Sequence, residues 1–330
     1  MEVFSIIIPV YNRPEEIDDL LNSLTRQTYV HFEVIVVDDG SSIPCEPVVN
    51  AYNDRLRIRY FYIENSGPGL ARNQGVRYAE GEIVIVLDSD CIVPASYLEQ
   101  VYESLMRYKV DAFGGADRAH SSFSAIQKAV NYSMTSFFTT GGIRGSRRHL
   151  DTFYPRSFNM GMRKEVYEAL GGFSDMRYGE DIDFSIRIFK GGYKCRLFPG
   201  AWVYHKRRTD LKKFFKQVHN SGIARINLYK KYPESLKLVH LLPAAFTLGV
   251  ALLLVGGLFC PYSLLPILFY ALLVCVDSAC CNHSLRIGVY SIAASFIQLI
   301  GYGTGFWRAW WQRCILKRGE FEAFQKNFYK

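Results

Sequence analysis

The chain has 330 residues, 49% of them apolar, and a formal net charge of +8. That length holds two domains, or one large domain with an appendage. Its eight cysteines include no C-x-x-C pair, which argues against a disulfide scaffold, and its basic excess comes without any nucleic-acid-binding motif, which argues against a nucleic-acid partner.

Met1 leads directly into an apolar strand, Val3–Val10. No basic n-region or cleavage site precedes it, so no signal peptide is expected and the first domain should stay in the cytoplasm. Tyr11-Asn12-Arg13-Pro14 breaks the strand. Glu15-Glu16 then opens a helix whose first turn suits acids, with Leu20, Leu21 and Leu24 as its apolar face. Phe32–Val37 is a second strand that runs into Asp38-Asp39-Gly40-Ser41-Ser42. Leu56–Ile63 is a third, and Gly67-Pro68-Gly69 starts a helix carrying Arg72. Ile83–Leu87 is a fourth strand, uncharged and so buried on both faces, and it ends abruptly in Asp88-Ser89-Asp90. This alternation predicts an α/β fold with a doubly wound, mostly parallel sheet.

The strand-end carboxylates carry the first chemical argument. Open α/β sheets bind ligands at the C-terminal ends of their strands. Asp88 and Asp90 would repel each other there, and a hard divalent cation, Mg²⁺ or Mn²⁺, resolves the conflict. Tyr11-Asn12 and Asp38-Asp39 should lie on the same edge. Asp39 can accept from a base or ribose, Tyr11 can pack on a base, and Arg72 can counter a diphosphate. Pro9, Tyr11, Asn12, Asp39, Arg72 and Asp88 are the expected nucleotide-binding residues. No G-x-G-x-x-G follows the first strand and no P-loop is present, so phosphate charge must be met by metal and arginine.

Further along, Val110–Gly115 is another buried strand. Residues 118–152 show no clear period. The basic, glycine-rich stretch 141–148 reads as a lid that orders on donor binding or as a plain surface loop. Arg163–Leu170 is a short helix stopped by Gly171-Gly172. Gly179-Glu180-Asp181-Ile182-Asp183 opens another helix with acids in its first turn. Tyr193–Leu197 and Ala201–Tyr204 lead to His205, which reads as a metal ligand, a diphosphate contact or a structural histidine.

Over residues 2–235 the chain resembles the family 2 glycosyltransferases of the GT-A fold. The matching pieces are Ser5–Asn12, Val36–Ser41, Asn65-Ser66-Gly67 with Ala71–Gly75, Leu87–Asp90, Asn159–Arg163, Gly171-Gly172-Phe173, Gly179-Glu180-Asp181 and Tyr204-His205. The resemblance implies a nucleotide-diphosphate sugar donor, a divalent metal held at Asp88 and Asp90, and transfer with inversion. It places the general base at Asp181, with Glu180 and Asp183 as supports. An acceptor hydroxyl needs such a base, on the face opposite the leaving diphosphate.

From Leu238 to about Trp307 charges are few. Leu211, Phe214, Phe215 and Val218 recur at helical spacing among Lys212, Lys213 and Lys216, which predicts a basic amphipathic helix at an anionic membrane surface. Leu238–Cys260 is long enough to span a bilayer, Leu264–Val276 is short and meets Asp277, and Ile287–Trp307 is long again. Trp307, Trp310 and Trp311 with Arg308 and Arg313 suit an interfacial belt, and the basic tail through Lys326 and Lys330 favours an even number of crossings. The expected organisation is a catalytic domain over 1–205, interfacial helices over 206–236, membrane-embedded helices over 237–310 and a basic tail over 311–330. Residues 1–235 are expected to fold without the rest. The expected activity is transfer to a lipid-linked saccharide at the cytoplasmic face of the inner membrane, in envelope polysaccharide assembly. A processive synthase and a non-catalytic sugar-nucleotide binder are the alternatives.

Overall fold

The computed structural model describes residues 4–118, 120, 123–141, 153–206 and 210–321. The glycine-rich stretch from 142 to 148, Arg207, Arg208, Lys326 and Lys330 lie outside them. The strands are β1 Phe4–Val10, β2 Phe32–Asp39, β3 Ile58–Ile63, β4 Ile83–Leu87, β5 Cys91–Ile92, β6 Ala112–Arg118, β7 Asn159–Arg163 and β8 Cys195–His205. The helices are α1 Pro14–Leu24, α2 Glu46–Asn50, α3 Pro68–Tyr78, α4 Tyr97–Tyr108, α5 Ala125–Thr135 and α6 Phe137–Thr140, then α7 Lys164–Ala169 and α8 Glu180–Lys190. Four longer ones follow: α9 Leu211–Lys231, α10 Leu238–Gly257, α11 Leu265–Asn282 and α12 Leu285–Trp310. The described residues form two compact units, one of 4–118 with 153–205 and the other of 120–141 with 206–321.

The first unit is an α/β domain on a mixed sheet of order β3-β2-β1-β4-β7-β6-β8-β5. β1 pairs in parallel with β2 and β4, and β2 with β3. β1 is buried along its whole length because helices cover both faces. Phe4, Ile6 and Ile8 pack with Ile17, Leu20 and Leu21 of α1, while Ile7 packs with Ala71 and Val76 of α3 and Phe184 of α8. The common direction of β1, β2 and β4 brings Val10, Asp38 and Leu87 to one edge. β7 then runs antiparallel to both β4 and β6. Its sequence does not advertise a strand, because Gly161 replaces a side chain that Phe113 leaves no room for. A Cβ there would lie 2.3 Å from the Phe113 ring.

The second unit is helical and draws on both ends of the chain. α5 was not legible by period, but Ser124 caps it in a reciprocal box with Gln127. Its Ala129, Val130 and Met134 pack with Phe214 and Val218 of α9 and with Ile287 and Ala294 of α12. On α9, Phe214 is fully buried and Val218 nearly so, while Lys212, Lys213 and Lys216, with Phe215 beside them, are exposed. At Gly222 of α9 a Cβ would lie 2.1 Å from the Tyr302 carbonyl, so α9 and α12 approach to backbone contact. The segment expected to stop at Asp277 continues to Asn282, since the Tyr132 hydroxyl donates to Asp277 Oδ2 at 2.5 Å and gives the carboxylate a partner. Among the described residues, three helices, Leu238–Gly257, Pro261–Asn282 and Leu285–Ile315, are long and apolar enough to cross a membrane. Leu252, Leu268 and Phe269 face outward on the first two, as lipid contact requires.

These contacts overturn the expectation that residues 1–235 fold alone. Removing α10–α12 uncovers Phe214, Val218, Val130 and Met134, whose burial contributes about 1.5–3 kcal/mol each at most. The truncated protein is expected to aggregate on size-exclusion chromatography and to bind a hydrophobic dye far more strongly than the full chain in detergent. A monodisperse, dye-negative fragment would contradict the packing described.

Candidate active site

The end of β4 is closed by a strand pair that the linear sequence does not reveal. β5 pairs antiparallel with the last residues of β8, in register Cys91 to His205 and Ile92 to Tyr204. That register sets His205 beside Asp90, with Nε2 3.1 Å from Asp90 Oδ1. Phe158 stacks on the imidazole at 4.9 Å and fixes its plane. Asp90 Oδ2 lies 2.6 Å from Arg13 Nη1. Burial alone would raise the Asp90 carboxyl, but His205 and Arg13 outweigh it and hold the group well below the usual carboxylate range.

Asp88 turns to a different cation. Its Oδ1 accepts from Arg72 Nη2 at 2.7 Å, and Arg72 Nη1 reaches Glu180 Oε1 at 3.1 Å. Arg72 is only 3% exposed and lies over the Phe173 ring at 5.2 Å. The guanidinium therefore ties the end of β4 to the start of α8. Glu180 is pushed up to about 7, first by burial and then by Asp181, against the pull of Arg72. Asp181 Oδ2 lies 2.8 Å from Arg156 Nε, and Oδ1 accepts from the Ile182 amide at 2.8 Å. Asp183 is fully buried and bound to Arg187 one turn on, at 3.0 Å, so it serves the helix.

The other expected donor residues shape loops at the same edge. Asn12, at φ 52°, accepts through Oδ1 from the Ser42 and Ile43 amides at 2.8 and 3.2 Å. Asp39 Oδ1 accepts from the Ser66 amide at 2.7 Å and Oδ2 from the Gly67 amide at 2.9 Å. Burial raises the Asp39 carboxyl against those bonds. Pro9 is buried opposite Val37, and Tyr11 is half-buried just beyond the strand. Asp39 and Asn12 thus hold the 65–67 and 41–43 loops, whatever else they touch.

Asp90, Cys91 and His205 bring metal-type donor atoms within 4.8 Å of one another. Burial pushes the Cys91 thiol well above its ordinary value, and it donates to the Phe158 carbonyl at 3.5 Å, so it is a poor ligand. Asp90 Oδ1 is buried and has no aligned hydrogen bond despite its contact with His205. An ionised carboxylate with an orphaned oxygen, an imidazole beside it and Asp88 two residues back fit a hard divalent cation.

Sequence reasoning missed Arg13 and Arg156. Arg13 carried a signal: a cation at the N-cap of α1 faces the positive end of the helix dipole, an unfavourable place without a nearby anion. Arg156 carried none.

The sequence model described as Glycosyl transferase family 2 matches residues 5–171. The glycosyltransferase AglE of Haloferax volcanii is 30% identical over 245 residues, covering 70% of this chain and 78% of AglE. The poly(ribitol-phosphate) beta-N-acetylglucosaminyltransferase TarS of Staphylococcus aureus is 33% identical over 134 residues, 37% of this chain. The chain spans about a quarter of that longer relative, 23% of its length. Among solved structures, the mannosyltransferase PcManGT of Pyrobaculum calidifontis, in complex with GDP-Man and Mn²⁺, superposes with a TM-score of 0.63 over 90% of this chain and 87% of its own. At 20% identity that likeness speaks for the fold.

Glu180 makes the site's electrostatics measurable. The folded chain keeps this proton where the unfolded chain has lost it, so the group's contribution to stability is present below its ordinary value of 4.5 and lost as pH rises to about 7. The difference in melting midpoint between wild type and Glu180→Gln should therefore drift against wild type from pH 4.5 to 7 and level off beyond. A difference independent of pH would mean that Glu180 titrates normally.

Proposed function

Since the chain belongs to the family 2 glycosyltransferases, we propose that it transfers a sugar from a nucleotide-diphosphate donor to a saccharide carried on a membrane lipid, with inversion at the anomeric carbon. The observation that carries this reading is the pair of carboxylate groups from separate segments, Asp88 and Asp90 after β4 and Glu180 and Asp181 on α8, joined through buried Arg72. One pair serves the departing diphosphate and the other the incoming hydroxyl.

Asp90, Asp88 and His205 hold Mg²⁺ or Mn²⁺. When bound, the cation offsets the charge that grows on the leaving phosphate oxygen. That PcManGT is solved with GDP-Man and Mn²⁺ supports this assignment. Asp181 takes the proton of the acceptor hydroxyl. Arg156 orients it, and the Arg156 side chain, 30% exposed, can yield when the acceptor arrives. Glu180, held by Arg72, steadies α8 behind the base. Asp39, Tyr11, Asn12 and Pro9 form the floor for the nucleotide.

The acceptor assignment rests on the three apolar helices and on the exposed basic face of α9, both suited to a bilayer with an anionic leaflet. Nucleotide sugars are made in the cytoplasm, so we place the catalytic unit on that face of the inner membrane, in envelope polysaccharide assembly.

Two substitutions test the roles separately. Asp90→Asn should abolish transfer and Mn²⁺-dependent donor binding; turnover that persists at the wild-type rate in EDTA would refute the metal role. Asp181→Asn should lower turnover on the order of 10²–10⁴-fold with donor affinity nearly unchanged. Loss of donor affinity with turnover retained would move Asp181 to the donor side.

A further inference from the structure

The site holds two arginines at its D-x-D carboxylates, and they are not equivalent. Arg72 is enclosed between Asp88 and Glu180, with Phe173 beneath it, and is 3% exposed. It has no room to turn. Arg13 stands at the N-cap of α1 with its side chain 28% exposed, and its ion-pair contact is with Asp90, Nη1 to Oδ2 at 2.6 Å. Asp88 and Glu16 add attraction at longer range. Each D-x-D carboxylate thus rests against a guanidinium.

A divalent cation bound at Asp90 would sit within a few ångströms of the Arg13 guanidinium. Arg13 holds Oδ2 while Oδ1 lacks an aligned partner, so a cation on Oδ1 would repel the nearby guanidinium and weaken its hold on the shared carboxylate. The helix dipole offers Arg13 no alternative hold, because the N-terminus of α1 repels a cation. The donor supplies one: a diphosphate brings new negative charge to the same edge, and a guanidinium matches phosphate oxygens in a bidentate fork.

We propose that Arg13 is an exchangeable counter-cation, which pairs with Asp90, gives way to the divalent metal there and then binds the diphosphate of the donor. Arg13, rather than Arg72, is the side chain that meets the phosphates. Arg72 remains the fixed strut between β4 and α8. The exchange orders the events, since metal arrival releases the group that holds the donor. This inference deepens the proposed function and rests on Asp90 as a metal ligand.

The test exploits effects of opposite sign. Full-length protein in detergent is titrated by calorimetry with Mn²⁺ alone, and then with pyrophosphate at saturating Mn²⁺. Arg13→Gln removes the competitor of the metal and the partner of the phosphate. It should bind Mn²⁺ several-fold more tightly and pyrophosphate about tenfold more weakly, the loss of one charge-assisted contact. Arg13→Lys should fall between on both scales, and it decides the matter if Arg13→Gln does not fold. An arginine that merely props the loop would weaken both ligands. Weaker or unchanged Mn²⁺ binding, or unchanged pyrophosphate binding, overturns the exchange. Wild-type protein that binds no Mn²⁺ overturns the metal reading and this inference together. Mn²⁺ binding that is lost in Asp90→Asn but unaltered in Arg13→Gln overturns this inference alone.

Discussion

Two carboxylates one residue apart, at the end of a strand buried on both faces, must each be given a cation of their own. Much of the catalytic unit is arranged around that constraint. Asp88 receives Arg72 from α3, and Asp90 receives Arg13 from the start of α1, with the His205 ring from the end of β8 beside it. A fully buried guanidinium such as Arg72 is tolerable only because two carboxylates and an aromatic face surround it. The same pairing fixes α8 against β4, so a substitution at Arg72 would disturb both groups of carboxylates at once.

The helical unit is held by a different balance. Its apolar contacts run between α5, which follows β6 in sequence, and α9 and α12 near the other end of the chain. It is therefore not an appendage that can be cut away at a linker. Two polar pairs lie inside it, Tyr132 with Asp277 and Ser278 with Ser291 at 2.7 Å. The glycines of α9 and α12 permit close backbone approach, where lipid supplies no hydrophobic drive between helices.

Much of the fold was legible along the chain. β1, β2, β3 and β4 were visible as apolar runs, and Asp88, Asp90, Glu180 and Asp181 stood out as acids where strands end or helices begin. Other elements were hidden for definable reasons. β7 carries a glycine because Phe113 fills the space its side chain would need. α5 has a readable capping box at Ser124 and Gln127, but its apolar face is short and its partners lie far off in sequence. α11 runs through Asp277 only because Tyr132 meets the charge. Phe214 and Val218 showed a helical stripe correctly, yet a stripe does not say whether protein or lipid covers it.

The sequence by itself determined the α/β class, the sheet edge at which the strand-end carboxylates lie and the apolar character of the C-terminal helices. These are properties of periods and strand ends, which short stretches of chain express locally. Only the tertiary structure decided what each charge faces. Arg13 and Asp90 are 77 residues apart and Arg72 and Glu180 are 108 apart. His205 reaches Asp90 through a two-residue strand pair too short to be read in advance. Coulomb partners are chosen by distance in space, and distance in space at such separations is set by how the sheet is ordered, not by any neighbouring residue.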